Sequence, residues 1–150
     1  MIRIQKILCP IDFSDASKGA LRYAIDLAGK FGASLTLLHV YQVPGYAFPE
    51  GMVVAGPATL NELVAEVEAA MREWKAEAEQ MGATQVTTAT AMGGTCPEIV
   101  KAAEGYDLIV MGTHGRKGIR HALLGSVAEK VVRTAKCAVL TLHVGDHDSA

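Results

Sequence analysis

The chain has 150 residues, half of them apolar and a fifth charged, with a formal net charge of −2 at pH 7. A chain of this length buries on the order of two-thirds of its unfolded surface and needs neither metal nor disulfide to fold. Its apolar runs fall far short of the roughly 20 residues of a membrane span, and its charge balance offers no general basic field for nucleic acid. Residues 1–6 (Met-Ile-Arg-Ile-Gln-Lys) do not read as the apolar stretch and small-residue cleavage site of a secretory leader, so a cytoplasmic protein is expected. Cys9, Cys96 and Cys137 are widely separated, odd in number and set in contexts that read as buried, with no disulfide framework and no C-x-x-C pair.

In chain order, residues 6–11 (Lys-Ile-Leu-Cys-Pro-Ile) read as a first strand. Ser14 then caps a helix with Leu21, Ala24, Ile25, Ala28 and Phe31 on one face, closed by Gly32. Residues 34–40 are a second strand, ending in His39 and Val40. The segment from Tyr41 to Pro57 carries Pro44, Gly45, Pro49, Gly51, Gly56 and Pro57, which forbid a regular helix and predict a long loop beside the end of that strand. A long helix from about Thr59 to Met81 places Leu60, Leu63, Val64, Val67, Met71, Trp74 and Ala78 at helical spacing, as core residues, before Gly82.

Residues 85–91 form a third strand, and Thr95 with Glu98 predicts a capping box, with Pro97 in the first turn of a third helix. Residues 107–111 are a fourth strand; Ser126 and Glu129 predict a second capping box and a fourth helix to about Ala135; residues 138–144 are the fifth strand. Strand and helix in alternation imply parallel strands in one sheet with helices on both faces. Such sheets bind ligands at the carboxyl ends of their strands, where the strand order reverses. That draws attention to Asp12, His39, Val40 and Gly112.

Between the fourth strand and the fourth helix lies Gly112-Thr113-His114-Gly115-Arg116-Lys117-Gly118-Ile119-Arg120-His121-Ala122-Leu123-Leu124-Gly125-Ser126. Glycines let backbone N–H groups approach an anion unobstructed, and a helix N-terminus aims its free donors and dipole at the same point. A lone glycine is mostly a turn residue, but this loop is anchored by a strand and a helix, and Arg116, Lys117 and Arg120 add positive charge. The whole reads as a phosphate cradle.

The spacing Gly-x2-Gly-x9-Gly-Ser at Gly112, Gly115, Gly125 and Ser126 resembles that of the nucleotide-binding universal stress proteins. The likeness runs along essentially the whole chain, through the opening from Lys6 to Asp12, Leu37-Leu38-His39-Val40, and the run from Asp107 to Gly115. It implies a three-layer α/β/α, Rossmann-like fold with a five-stranded parallel sheet in the order 3-2-1-4-5, as one domain over residues 1–145 with a tail at 146–150. It also implies roles: Asp12 at the ribose hydroxyls, Pro10 and Ile11 on the base side, and the Val40 backbone at the adenine edge. Met111 and Gly112 stand near the ribose and α-phosphate, with Gly115, Gly125, Ser126 and Val127 around the phosphates; from the loop's own chemistry, His114 packs or touches phosphate and Arg116 adds positive charge to the same binding site. A carboxylate accepts from two hydroxyls while a hydroxyl and fixed N–H groups donate to phosphate, so the roles are chemically apt.

The implied function is an adenine-nucleotide-binding (ATP or AMP) regulatory stress protein, with Mg or Mn carried on the phosphates, acting as a homodimer through the last strand. Ala138 stands where the family commonly has proline, which touches that strand and not the cradle. The alternative is a slow ATP phosphohydrolase or nucleotidyl-handling enzyme on the same scaffold. Efficient turnover would need metal-holding carboxylates and a water activator, and only Asp12 is evident. His114 has no arranged partner for base catalysis. Asp12 and Ser126 also carry plainer readings, as turn or cap residues of the helices they precede. A P-loop or a G-x-G-x-x-G after the first strand is absent, and the acid cluster of a receiver domain is missing.

Overall fold

The computed structural model describes residues 1–43, 45–48, 51–54, 56–113 and 124–143. The predicted site residues His114, Gly115 and Arg116, the charges Lys117 and Arg120, the end of the predicted last strand at Val144, and the tail at 146–150 lie outside the described residues.

The first strand, β1 (Lys6–Pro10), is followed by α1 (Asp15–Phe31) and β2 (Ser34–Tyr41). Ser14 caps α1, its hydroxyl accepting the Ser17 N–H at 3.2 Å, and Gly32 ends it with φ +65°, a left-handed conformation that favours glycine. Phe31 is a correction: it is 48% exposed, as the last residue of α1, one turn beyond Leu27 and Ala28, which still pack against the core. The segment expected as a loop holds a small antiparallel hairpin, β3 (Gly45–Phe48) and β4 (Gly51–Val54), in register from Gly45 opposite Val54 to Phe48 opposite Gly51. Between the prolines and glycines that rule out a helix stand Tyr46, Phe48, Val53 and Val54, residues of high strand propensity, and Gly51 takes a φ of +133° that other residues rarely adopt.

Helix α2 (Pro57–Gln80) opens with proline at its first position and buries Val67, Met71, Trp74 and Ala78. Then come β5 (Val86–Met92), α3 (Thr95–Ala102), β6 (Leu108–Gly112), α4 (Ser126–Thr134) and β7 (Ala138–Leu142). Both expected capping boxes are corrected. Gly94 and Gly125 are the N-caps of α3 and α4, so Thr95 and Ser126 are the first helical residues and neither helix has a side-chain cap. Of the cysteines only Cys9 is buried; Cys96 and Cys137 are half-buried, at the rim of the second core cluster.

Five strands form one sheet in the order β5-β2-β1-β6-β7, every neighbouring pair parallel. Numbered among themselves, the five run 3-2-1-4-5. Alternate residues serve opposite faces: Ile7, Cys9, Leu108 and Val110 pack with α1 and α2, while Leu8, Ile109 and Met111 pack with α3 and α4. The result is three layers with a core on each side of the sheet. The chain grows outward from β1 through β2 to β5, then returns across β1 to start again at β6. That reversal falls between β1 and β6, which pair only from Ile7 and Leu8 to Leu108 and Ile109, so their carboxyl ends part.

Candidate functional site

A cleft of about 380 Å³ opens where β1 and β6 part. Pro10, Ile11 and Asp12 line it from the end of β1, Leu38 and Val40 from β2, and Met111, Gly112 and Thr113 from β6. Thr95 and Ile99 of α3 and Gly125, Ser126, Val127 and Ala128 at the start of α4 complete the wall, with Ser17 of α1. All nine predicted site residues within the described residues therefore border one space. Sequence reasoning missed Ser17, Leu38, Thr95, Ile99, Thr113 and Ala128. Leu38 was available as the residue two before Val40 on the same strand face, and Ser17 as the hydroxyl one helical turn beyond Ser14.

The polar end is built around Asp12. Its Oδ1 accepts the Ser14 N–H at 3.0 Å, the Ser17 hydroxyl at 2.7 Å and the Ser14 hydroxyl, while the Asp12 N–H donates to Ser17 Oγ at 2.9 Å. Asp12 is thus the turn residue that the plainer reading foresaw, and it also faces the cleft. Burial works to raise its carboxyl, but the hydroxyl and backbone donors around it outweigh that and hold it below the ordinary carboxylate value. Every described hydrogen bond to the carboxylate falls on Oδ1.

Two helices aim their N-termini into the cleft. In α4 the first intrahelical bond runs from the Glu129 N–H to the Gly125 carbonyl at 2.9 Å, so the N–H groups of Ser126, Val127 and Ala128 have no helical acceptor. Because Ser126 is not the cap, its hydroxyl is not spent on the helix end. In α3 the corresponding bond is from Glu98 to Gly94 at 3.1 Å, with Thr95 on the wall. Donors and dipoles of this kind favour an anion.

Gly112 is required by packing. A Cβ on it would stand 2.9 Å from the Ala16 carbonyl oxygen and 3.0 Å from the Ala16 Cβ, so only glycine lets the first turn of α1 lie against β6. The apolar wall is formed by Leu38, Ile99 and Met111, all buried in the second core cluster, with Val40 and Val127 packed against it.

Beside the apolar wall, the Ile11 N–H still bonds the Leu38 carbonyl at 2.8 Å, the last rung between β1 and β2. Phe13 then turns the chain away with φ +66°, the single non-glycine residue at positive φ among the described residues. Its ring is held 4.4 Å from the His39 ring and 5.7 Å from that of Trp74. His39 Nδ1 lies 2.8 Å from the Ile11 carbonyl oxygen, so this strand-end histidine is satisfied by a hydrogen bond. Among the described residues, no group of three or more His, Cys, Asp or Glu side chains could hold a metal ion, and no helix is long and apolar enough to cross a membrane.

The sequence model of the universal stress protein family matches residues 3–143, and the chain belongs to that family. Universal stress protein MJ0531 of Methanocaldococcus jannaschii is 38% identical over 142 residues, spanning 92% of this chain and 81% of its own. Among solved structures, the universal stress protein UspA of Lactobacillus plantarum superposes with a TM-score of 0.78 at 29% identity, covering 95% of this chain and 99% of its own. A universal stress protein crystallised in complex with cAMP superposes with a TM-score of 0.71 at 28% identity, covering 96% of this chain and all of its own.

Proposed function

We propose that this protein binds an adenine nucleotide, ATP or AMP, in the cleft at the β1/β6 switch point and acts as a dimeric regulatory stress protein in the cytoplasm, from one domain over residues 1–145. The observation that carries the reading is the set of chemistries gathered around one cleft. Buried Leu38, Ile99 and Met111, a lowered carboxylate at Asp12 and the open N-terminus of α4 all border the same space. Base, ribose and phosphate present apolar faces, paired hydroxyls and negative charge, and the cleft has a counterpart for each. The relative bound to cAMP lends support from outside this chain.

The residues fit the ligand without further groups. Asp12 Oδ2 accepts from the ribose hydroxyls, the N–H groups of Ser126, Val127 and Ala128 and the Ser126 hydroxyl donate to phosphate oxygens, and Val40 offers its peptide group to the base. A Mg or Mn ion would ride on the phosphates. His114, Gly115 and Arg116 extend the phosphate contacts in this reading. The dimer rests on the contrast between the two sheet edges: β5 exposes Thr87, Thr88 and Thr90, while β7 is an uncharged run with Val139, Leu140 and Leu142 half-buried. An apolar edge strand is a ladder that proteins cover, and a two-fold contact covers both copies at once.

Calorimetry of the full chain with AMP, ATP and cAMP, with GTP as the comparison, tests the reading. Adenine nucleotides should bind more tightly than GTP, and Asp12→Ala should weaken all of them. Absence of heat and of any thermal shift at millimolar adenine nucleotide would overturn it.

A further inference from the structure

The end of the ladder between β1 and β2 holds an exchange of partners. With Pro10 opposite Leu38 and the Ile11 N–H on the Leu38 carbonyl, the next rung of a parallel ladder would send the Val40 N–H to the Ile11 carbonyl. That rung is not made: the Ile11 carbonyl oxygen faces His39 Nδ1 at 2.8 Å instead. A carbonyl oxygen only accepts, so Nδ1 carries the proton, and the neutral ring is in the Nδ1–H tautomer. One step further on, the rung that would bring Phe13 N–H to the Val40 carbonyl is also missing, because Phe13 turns out of the strand at φ +66° with its ring against His39. Val40 therefore shows a donor and an acceptor side by side at the apolar wall of the cleft it lines.

We propose that His39 is a positioning residue for base recognition: by holding the Ile11 carbonyl turned onto its own Nδ1–H and backing the Phe13 turn, it keeps the Val40 peptide group unpaired for the edge of a nucleobase. This rests on the nucleotide reading of the cleft. The ligand it favours has an acceptor nitrogen beside an amino donor, as the adenine edge has, and it disfavours guanine, which has a ring N–H where adenine has the acceptor nitrogen and a carbonyl where adenine has the amino group. His39 touches no ligand in this role. It acts by removing an internal competitor for the Val40 N–H.

Two substitutions separate the hydrogen bond from the packing. His39→Phe keeps a ring against Phe13 and Tyr41 but has no donor, which frees the Ile11 carbonyl to take the Val40 N–H. His39→Asn loses the ring but keeps a side-chain N–H close to the position of Nδ1. Two readouts apply to each: the Val40 amide resonance in nucleotide-free 15N spectra, and the affinities for AMP and GMP by calorimetry. In His39→Phe the Val40 amide should move downfield and gain protection from exchange. AMP affinity should fall about five- to tenfold, the scale of one hydrogen bond, with the preference over GMP reduced. His39→Asn should restore both the amide position and most of the AMP affinity.

A Val40 amide unmoved in a folded His39→Phe variant overturns the proposal, as does a moved amide with AMP binding and base preference unchanged. If wild type binds no adenine nucleotide at all, the nucleotide reading falls. The amide arm then decides by itself whether His39 holds Val40 open.

Discussion

Replacing Ser17 with alanine tests the construction of the polar end of the cleft most directly. Ser17 is 5% exposed, and its hydroxyl both donates to Asp12 Oδ1 at 2.7 Å and accepts the Asp12 N–H at 2.9 Å. Deleting one oxygen removes a bond to a charged acceptor and strands a backbone donor, together about 2 kcal/mol once water reaching half-buried Asp12 is allowed for. For a chain of this size that lowers the melting temperature by about 4–8 °C. The loss should depend on pH in a defined direction. Asp12 in the fold sits below its unfolded value, so its ionised form contributes stability above about pH 4, and that contribution is lost as pH falls through the folded value. Ser17→Ala takes away one of the donors that lower it. The gap between wild type and variant should therefore be full at neutral pH and narrow below about pH 4, leaving the part owed to the N–H. Calorimetric or circular-dichroism melts from pH 7 downward measure this. A variant that melts with wild type at neutral pH, or a gap that widens on acidification, would refute the clamp.

Gly125→Val should abolish nucleotide binding while the chain stays folded, because Gly125 has φ −66° and ψ 157°, which any residue adopts, and valine at this N-cap costs only about 1 kcal/mol, yet Gly125 lines the cleft at the start of α4; calorimetry and a melt on the same sample check both halves. Gly112→Ala should instead destabilise by about 1–3 kcal/mol, since its Cβ would meet the Ala16 backbone and α1 must shift. Cys9 is fully buried with its thiol pushed up to about 12, so it should resist a thiol reagent at pH 8 until the chain unfolds, while half-buried Cys96 and Cys137 react first. Leu140→Lys on β7 should shift light scattering from dimer toward monomer with far-UV circular dichroism unchanged, and a wild type that stays monomeric at high micromolar concentration removes the dimer from the reading.

Most of the layered fold was legible because the apolar residues of each element repeat at its own period. Ile7 and Cys9 against Leu8, or Leu108 and Val110 against Ile109, divide cleanly between the two cores. Where the reading failed, a local signal had two structural meanings. Thr95-x-x-Glu98 and Ser126-x-x-Glu129 satisfy the capping-box pattern, yet each follows a glycine whose extended backbone serves as the cap without a side chain, which moves the helix start back by one residue. The prolines and glycines between Tyr41 and Pro57 forbade a helix correctly, but the same residues also punctuate hairpins, and the four-residue strands between them are too short for alternation to register.

The site was legible at the positions where chemistry and backbone demand coincide, and dark where a residue acts through a neighbour. Asp12, Val40, Gly125 and Ser126 end a strand or begin a helix, so topology alone directs them to the switch point. Ser17 is different: its hydroxyl matters only because Asp12 folds back over the first turn of α1, a pairing five residues apart that neither strand nor helix periodicity encodes. His39 and Phe13 are the sharper instance. Each is a plausible core aromatic in the sequence, and their shared consequence, an unpaired peptide group at Val40, is a property of where one ladder stops. A strand-end histidine is thereby more than satisfied; the carbonyl that satisfies it is the one withheld from the neighbouring amide.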